Sequence, residues 1–487
     1  MRRALLVAVV AAMAGACAPM RPMPSSGGEA TASCLHLYRR FDDAVDRHAV
    51  RDGAAARIAG FPYLRVDRLL GSFADDALDR ERSRAWIDQL AGLDLQARAI
   101  ELANLPRAAL QSLDIEDFDA NARLQDCAAR LTAADLSDSA RIETLRRLAQ
   151  VPDDYDTWKR VAGAYWLTRV PFAAGVRRYQ TDVARTFAMP LEQLPVSGRL
   201  IAYGTANDGP AAGGPFPVDA LGIPRPDAAT LERLFATHAP VWVVDEVDEN
   251  DRIGRMQWDA GPALRVDAGA PTEYRRIAHT RLGGRTLVQL VYSVWFPARP
   301  KSSALDLLGG EFDGIVWRVT LAPDGAPLIY DSIHSCGCYH QFFPTARAQL
   351  LPDVDRLEEG AFVPQRVDGL AGRLALRVAA RTHFLQRVMA ADAVRGVSRT
   401  LELEADDALR SLPLPEGGRR SAFGSDGIVA GSERAERFVF WPMGVRSPGA
   451  MRQWGRHATA FVGRRHFDDA RLLERYFRFD LEAAMSR

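Results

Sequence analysis

Lysine is nearly missing from this 487-residue chain: all but two of its 62 basic residues, Lys159 and Lys301, are arginine. The 62 acidic residues balance them, so the net charge is zero and no long-range positive field argues for nucleic acid as a partner. With the abundant alanine, the arginine bias reads as the habit of a GC-rich genome and not as a phosphate-binding signature. A Gly-x-Ser-x-Gly elbow, a His-Glu-x-x-His helix and a P-loop are also absent, so the sequence carries none of these three hydrolase and nucleotide-binding signatures. Beyond the N-terminus no segment has the roughly 20 apolar residues that crossing a bilayer takes. The rest of the composition, 47% hydrophobic and 25% charged, is that of a globular body.

The N-terminus is different. Arg2-Arg3 precede an apolar run from Ala4 to Ala14, then Gly15-Ala16-Cys17. That run is too short to span a membrane, and small residues before a cleavage point mark residues 1–16 as a signal peptide. Ala14-Gly15-Ala16-Cys17 resembles the bacterial lipoprotein signal, in which the cysteine after the cut receives lipid; the pattern favours Leu where Ala14 stands. The resemblance implies a lipid on Cys17, a membrane as partner, and a place in the cell envelope on the periplasmic side of the outer membrane. Ordinary secretion with cleavage nearby is the alternative. Residues 17–33, rich in Pro, Ser and Gly, are expected to form a flexible tether.

Cysteine is scarce, and export makes its few positions informative because the protein meets an oxidising environment. With Cys17 set aside, the simplest pairing is a Cys34–Cys127 disulfide and a separate Cys336/Cys338 unit, although the sequence allows three connectivities.

Apolar spacing predicts an α+β protein. Residues 34–190 read as a helical domain, with Ile87, Leu90, Leu93 and Leu95 on one helix and Ile142, Leu145 and Leu148 on another. Pro106, Pro152 and Pro171 are expected stops, and Ser137 or Asp138 an N-cap. Residues 191–240 read as a linker or loop region with one short helix capped by Asp227. From 241 to 487 the pattern becomes that of a mainly antiparallel, sandwich-like β domain closed by a C-terminal helix that opens at Asp468 or Asp469. Strands are expected at Val241–Val247, Arg252–Trp258, Tyr274–His279, Thr286–Phe296, Gly314–Leu321 and Pro327–Ile333, with hairpin turns at Gly283-Gly284 and Pro323-Asp324-Gly325. Leu374–Leu385 alternates as one further strand with Arg377, Arg381 and His383 on one face, and Val397–Leu403 as another. His457 and His466 look exposed.

Gln289 to Pro297, an aromatic strand ending in Phe-Pro, followed by Gly310-Glu311-Phe312-Asp313, is similar to necrosis-inducing-protein-like β-sandwich domains over residues 289–340. Those domains follow the aspartate with Trp and Glu, whereas Gly314 and Ile315 stand here. The resemblance implies a sandwich and carries no activity. Glu311 and Asp313 are expected in a solvated loop, with acid/base chemistry or calcium binding as the sharper option.

The densest chemistry lies in His334-Ser335-Cys336-Gly337-Cys338-Tyr339-His340. Thiolate and imidazole donors suit zinc or copper, through His334, Cys336, Cys338 and His340, with His383 as a possible further ligand. Residues two apart on a strand are about 6.6–6.8 Å from each other, whereas disulfide Cα atoms prefer about 5.5–6 Å, so a Cys336–Cys338 bond needs a kink at Gly337. A third option makes Cys336 or Cys338 a nucleophile activated by His334 or His340. The protein is therefore expected to be an envelope binding or scaffold protein, its ligand or protein partner unidentified. The alternative is a Cys/His-dependent hydrolase or thiol–disulfide oxidoreductase.

Overall fold

The computed structural model describes residues 28–113, 120–205, 213–261, 263–352, 358–370, 372–394 and 398–481. The signal peptide, Cys17 and most of the expected tether lie outside them. The first described helix, α1 (Glu29–Arg47), begins inside the stretch read as tether, because Thr31, Cys34, Tyr38, Phe41 and Val45 form one buried stripe at helical spacing.

A hairpin of β1 (Ala56–Ile58) and β2 (Phe61–Val66), too short to stand out in the sequence, packs within this helical region. There follow α2 (Arg68–Gly71), α3 (Arg80–Asn104), α4 (Arg107–Ser112), α5 (Ala120–Leu136), α6 (Ser139–Leu148), α7 (Thr157–Ala162) and α8 (Tyr165–Ala188). Asp138 caps α6, accepting from the backbone N–H groups of Ala140 and Arg141. A disulfide joins Cys34 on α1 to Cys127 on α5, with Cα atoms 5.3 Å apart. Pro171, expected to end a helix, instead lies inside α8. The helix gives up one backbone bond there and is held by burial of Ala173, Val183 and Phe187.

The strand-rich part begins within the region read as linker. Its elements are β3 (Arg199–Gly204), α9 (Ala228–His238, capped by Asp227), β4 (Val241–Glu246), β5 (Arg255–Trp258), β6 (Leu264–Asp267), β7 (Thr272–Leu282), β8 (Arg285–Arg299) and β9 (Gly310–Leu321). After these come β10 (Pro327–His334), β11 (Gln341–Pro344), β12 (Ala348–Leu350), β13 (Leu374–Val378), β14 (Leu385–Ala390), β15 (Arg399–Thr400) and β16 (Glu402–Ala405). A six-stranded sheet runs β11-β10-β9-β8-β7-β16 and a five-stranded sheet runs β14-β13-β4-β3-β15. Both are mixed: β16 with β7, β13 with β4 and β15 with β3 are parallel, and their other pairs are antiparallel.

Val288, Leu290, Tyr292 and Val294 of β8 share one core with Trp242 of β4 and Leu376 of β13, and α8 adds Val183 and Phe187. The opposite face of β8 is buried too, with Val291 against Phe467 and Trp295 near Met451. This cover is a largely irregular C-terminal stretch containing the single-turn helices α10 (Arg437–Phe440) and α11 (Leu472–Tyr476). Among the described residues no helix is long and apolar enough to cross a membrane.

Three expectations need correcting. Leu374–Leu385 is not one strand: the chain reverses between β13 and β14, with Arg381 and His383 at positive φ, so Arg377, Arg381 and His383 do not share a face. The C-terminal helix is only α11, and Phe477–Phe479 turns into a strand paired with β12. His457 and His466 are buried, 3% and 6% exposed, because the irregular stretch folds over them.

Candidate functional site

The His/Cys motif is the loop that joins β10 to β11. Ser332 pairs with Gln341 across the hairpin, so residues 335 to 340 must reverse the chain. The reversal is a tight turn: the N–H of Gly337 donates to the carbonyl of His334 (2.7 Å), and the N–H of His334 donates to that of Cys338 (3.0 Å). Gly337 has φ +88°, and a β-carbon on it would lie 2.5 Å from the carbonyl oxygen of Ala458, so glycine is required twice over. The Arg452 guanidinium locks the turn from outside by donating to the Cys336 carbonyl (3.1 Å).

The turn splits the motif. Cys336 and Cys338 come together as free thiols, and the Cys338 N–H lies 3.4 Å from Cys336 Sγ. A hydrogen bond with the Cys336 thiol, followed by burial, pushes the Cys338 thiol well above its ordinary range. The imidazoles are each claimed by a buried carboxylate: His334 Nδ1 lies 3.3 Å from Asp313 and His340 Nε2 lies 2.9 Å from Asp331. Neither is hydrogen-bonded to a thiol. His383 reaches the far side of Asp313 (Nδ1, 2.9 Å) and also lies 3.4 Å from Asp251, stacked on Phe296 with ring centres 4.0 Å apart. The expected ligands are thus not gathered round one point. Among the described residues no group of three or more His, Cys, Asp or Glu is arranged to hold a metal ion.

Asp313 is the hub of this buried chain, not a solvated loop residue. It sits on β9, fully buried, while Glu311 points to solvent. Burial opposes its charge but is outweighed by Arg434 (3.6 Å), His334 and His383, which hold its carboxyl well below the ordinary range. Burial drives His334 down despite Asp313. For His383 burial is overcome by the two flanking carboxylates, and its pKa is raised. Gly314 follows because a β-carbon there would strike Ser335 Oγ at 2.4 Å, which accounts for the missing Trp.

The thiols border a cavity of about 540 Å³ whose walls include Phe172 and Val176 of α8, Phe362, Phe384, Phe440 and Phe461. Four charged side chains reach it. Glu359 and Arg465 are fully engaged: Glu359 accepts from the N–H groups of Phe461 (2.6 Å) and Val462 (2.9 Å), and Arg465 donates to the carbonyls of Glu359, Gly360 and Thr459. Arg299 and Glu436 are not. They are 6% and 4% exposed, and among the described residues neither makes an ion pair. Arg299 bonds Tyr339, stacks on Phe384 at 5.0 Å and leaves Nη1 without a partner. Burial raises the Glu436 carboxyl to about 7 against the pull of Arg434 and Arg299.

Arg299 and Glu436 had no signal in the sequence. One is among dozens of arginines and the other lies about a hundred positions from the motif, so only the folded cover brings them together. No protein-family model, curated protein or solved structure matches the chain.

Proposed function

We propose that the protein is an exported, lipid-anchored binding protein of the cell envelope whose ligand occupies the cavity beside Cys336 and Cys338. The sheets that frame it are read as a sandwich, since both contribute to one core. The observation that carries the ligand site is Arg299, which lines a largely apolar cavity and whose buried Nη1 has no hydrogen-bond partner among the described residues. A buried donor without a partner costs about 1–3 kcal/mol, which an acceptor oxygen on a ligand would recover. The cavity volume suits a small molecule. The ligand class is a largely apolar body with one carboxylate or comparable anionic group.

Displacement of an amphipathic anionic fluorophore, 8-anilinonaphthalene-1-sulfonate, tests this. Arg299→Gln is expected to weaken binding by roughly tenfold or more, as losing a charge-assisted hydrogen bond should. Unchanged affinity would reject the cavity as an anion site. Lipid attachment is tested separately by the intact mass of protein from the membrane fraction, which should show cleavage before Cys17 and added acyl mass.

A second reading, thiol–disulfide exchange, is favoured by the contact between the two thiols at the cavity edge. In that reaction Cys336 and Cys338 lose two electrons and two protons in forming their disulfide, and an external disulfide takes both to become two thiols. Zinc or copper bound by the two thiols would need ligands from outside the motif. Thiol titration with and without reductant, alongside metal analysis, separates these states. The Cys-His hydrolase reading has less support, since both imidazoles are held by carboxylates.

A further inference from the structure

One surface of this molecule is unusually apolar and lies on the helix that walls the cavity. Helices α7 and α8 and the single-turn α10 meet at a 3-10 turn, Trp441–Met443, with the rings of Phe172 and Phe440 5.4 Å apart. From them project Trp158 (65% exposed), Val161 (76%), Trp166 (73%), Leu167, Val170 and Phe438 (70%). Among the described residues nothing covers these side chains, and leaving two tryptophans and a phenylalanine in water is costly unless a partner covers them.

The electrostatics of the same surface identify the partner. Residues 157–181 carry five basic side chains and no acidic one, in a chain whose total charge is zero. Lys159 is tied to Asp156 at 2.8 Å, and Arg160 is committed to the carbonyls of Met443 and Gly463. Arg177 and Arg178 are exposed and, by helical spacing, fall on the side of α8 that bears Trp166, Leu167 and Val170. Phe172, Val176 and Tyr179 on the opposite side line the cavity. Arg437 adds another exposed cation beside Phe438. Tryptophan with basic residues on one rim is the chemistry of a headgroup interface, where the indole settles at the polar boundary and the cations meet lipid phosphates.

The geometry points to α7, α8 and α10 as a docking face for an anionic phospholipid surface, which lays the helix that walls the cavity flat against the bilayer. This goes beyond a lipid on Cys17 and stands without it.

The test uses the full chain carrying Cys17→Ser, so that no attached lipid contributes, in flotation with vesicles of phosphatidylglycerol and phosphatidylethanolamine or of phosphatidylcholine alone. The chain is expected to float with the anionic vesicles, to be released by about 0.5 M salt, and to show tryptophan quenching by brominated lipid. Trp158→Ala/Trp166→Ala/Phe438→Ala should lower partitioning about tenfold or more and abolish that quenching. Arg177→Glu/Arg178→Glu, which keeps the aromatics, should cost at least roughly fivefold per charge. Both surface sets change exposed residues, so unaltered melting checks the fold. Equal flotation of parent and variants overturns the inference. So does a parent that sediments as a dimer and becomes a monomer in the aromatic variant without loss of vesicle binding, because the face would then belong to a second copy of the chain.

Discussion

The helical region and the cavity both bury charge, but they treat it in opposite ways. Between α1, β2 and α3, the side chains of Arg65, Arg98, Asp94 and Glu101 are all fully buried, and each has its partners: Arg65 meets Asp94 (3.1 Å) and Glu101 (2.8 Å), and Arg98 meets Asp94 (2.7 Å) and Asp42 (3.0 Å). Arg98 also donates to the Pro62 carbonyl and lies over the Tyr38 ring. At the cavity Arg299 and Glu436 are almost as deeply buried and, among the described residues, make no ion pair. A closed network fixes how helices and hairpin sit on one another, whereas an open pair is a cost the fold carries until something binds. The distinction separates a closed charge network from an open one within one chain.

The cysteines give the sharpest way to break this contrast. Cys34–Cys127 closes a loop of 93 residues, so Cys34→Ser/Cys127→Ser is expected to lower the unfolding free energy by about 4–5 kcal/mol in the chain-entropy picture. Cys336→Ser/Cys338→Ser closes no loop and should cost about 1 kcal/mol, an ordinary value for near-isosteric change. Urea unfolding of both variants measures the difference, and a similar loss in each would show that the thiol pair is structural as well.

Next in size is the charge network itself. Asp94→Ala leaves two buried guanidinium groups undercompensated and should destabilise by about 3–5 kcal/mol. Arg299→Gln removes a charge that makes no close ion pair among the described residues, so it is expected to leave stability within about 1 kcal/mol of the parent while weakening the anionic probe. Should Arg299→Gln unfold the protein as readily as Asp94→Ala, the open site would have to be reclassified as structural.

Glu436 extends the comparison to pH. Its carboxyl is raised from 4.5 to about 7 in the folded chain, chiefly by burial. Between those values the folded state holds a proton that the unfolded state releases, so stability falls as pH rises through this window, and the full penalty stands above it. The difference corresponds to about 3 kcal/mol. Glu436→Gln should therefore match the parent below about pH 4.5 and exceed it by up to about 3 kcal/mol above pH 7. Anion binding at Arg299 should weaken over the same rise in pH, as the carboxylate charges. Parallel unfolding curves at both pH values would show that Glu436 finds a partner.

Much of the frame was legible because it rests on local rules. The Val288, Leu290, Tyr292 and Val294 face of β8, the turn at Gly283-Gly284 and the caps Asp138 and Asp227 depend on residues within a few positions of each other. The site depends on distant ones. The carboxylates that claim His334, His340 and His383 come from positions 313, 331 and 251, and nothing in the spacing of the motif announces them. The C-terminal cover that buries His457 and brings Glu436 to the cavity has almost no periodic structure, so a reading built on periods of 2 and 3.6 sees only loop there. Pro171 fails for a related reason, since tertiary burial of α8 outweighs one lost backbone bond.

The smallest expected effects come from a single change made in both regions. Gly92 lies in the middle of α3, exposed, with nothing within 4 Å of where a β-carbon would stand. Gly92→Ala should stabilise by up to about 1 kcal/mol, because alanine loses less backbone freedom in a helix. Gly337 holds the thiol turn at φ +88° against the Ala458 carbonyl, so Gly337→Ala should destabilise by about 1–3 kcal/mol through strain and collision. The turn can relieve that strain only by opening, which moves Cys338 away from Cys336 Sγ and lets the Cys338 thiol fall back toward its ordinary pKa. Thiol alkylation at neutral pH should therefore quicken in Gly337→Ala and stay unchanged in Gly92→Ala, with thermal melts moving in opposite directions. Unchanged alkylation in both variants would mean that the turn does not hold the thiols together.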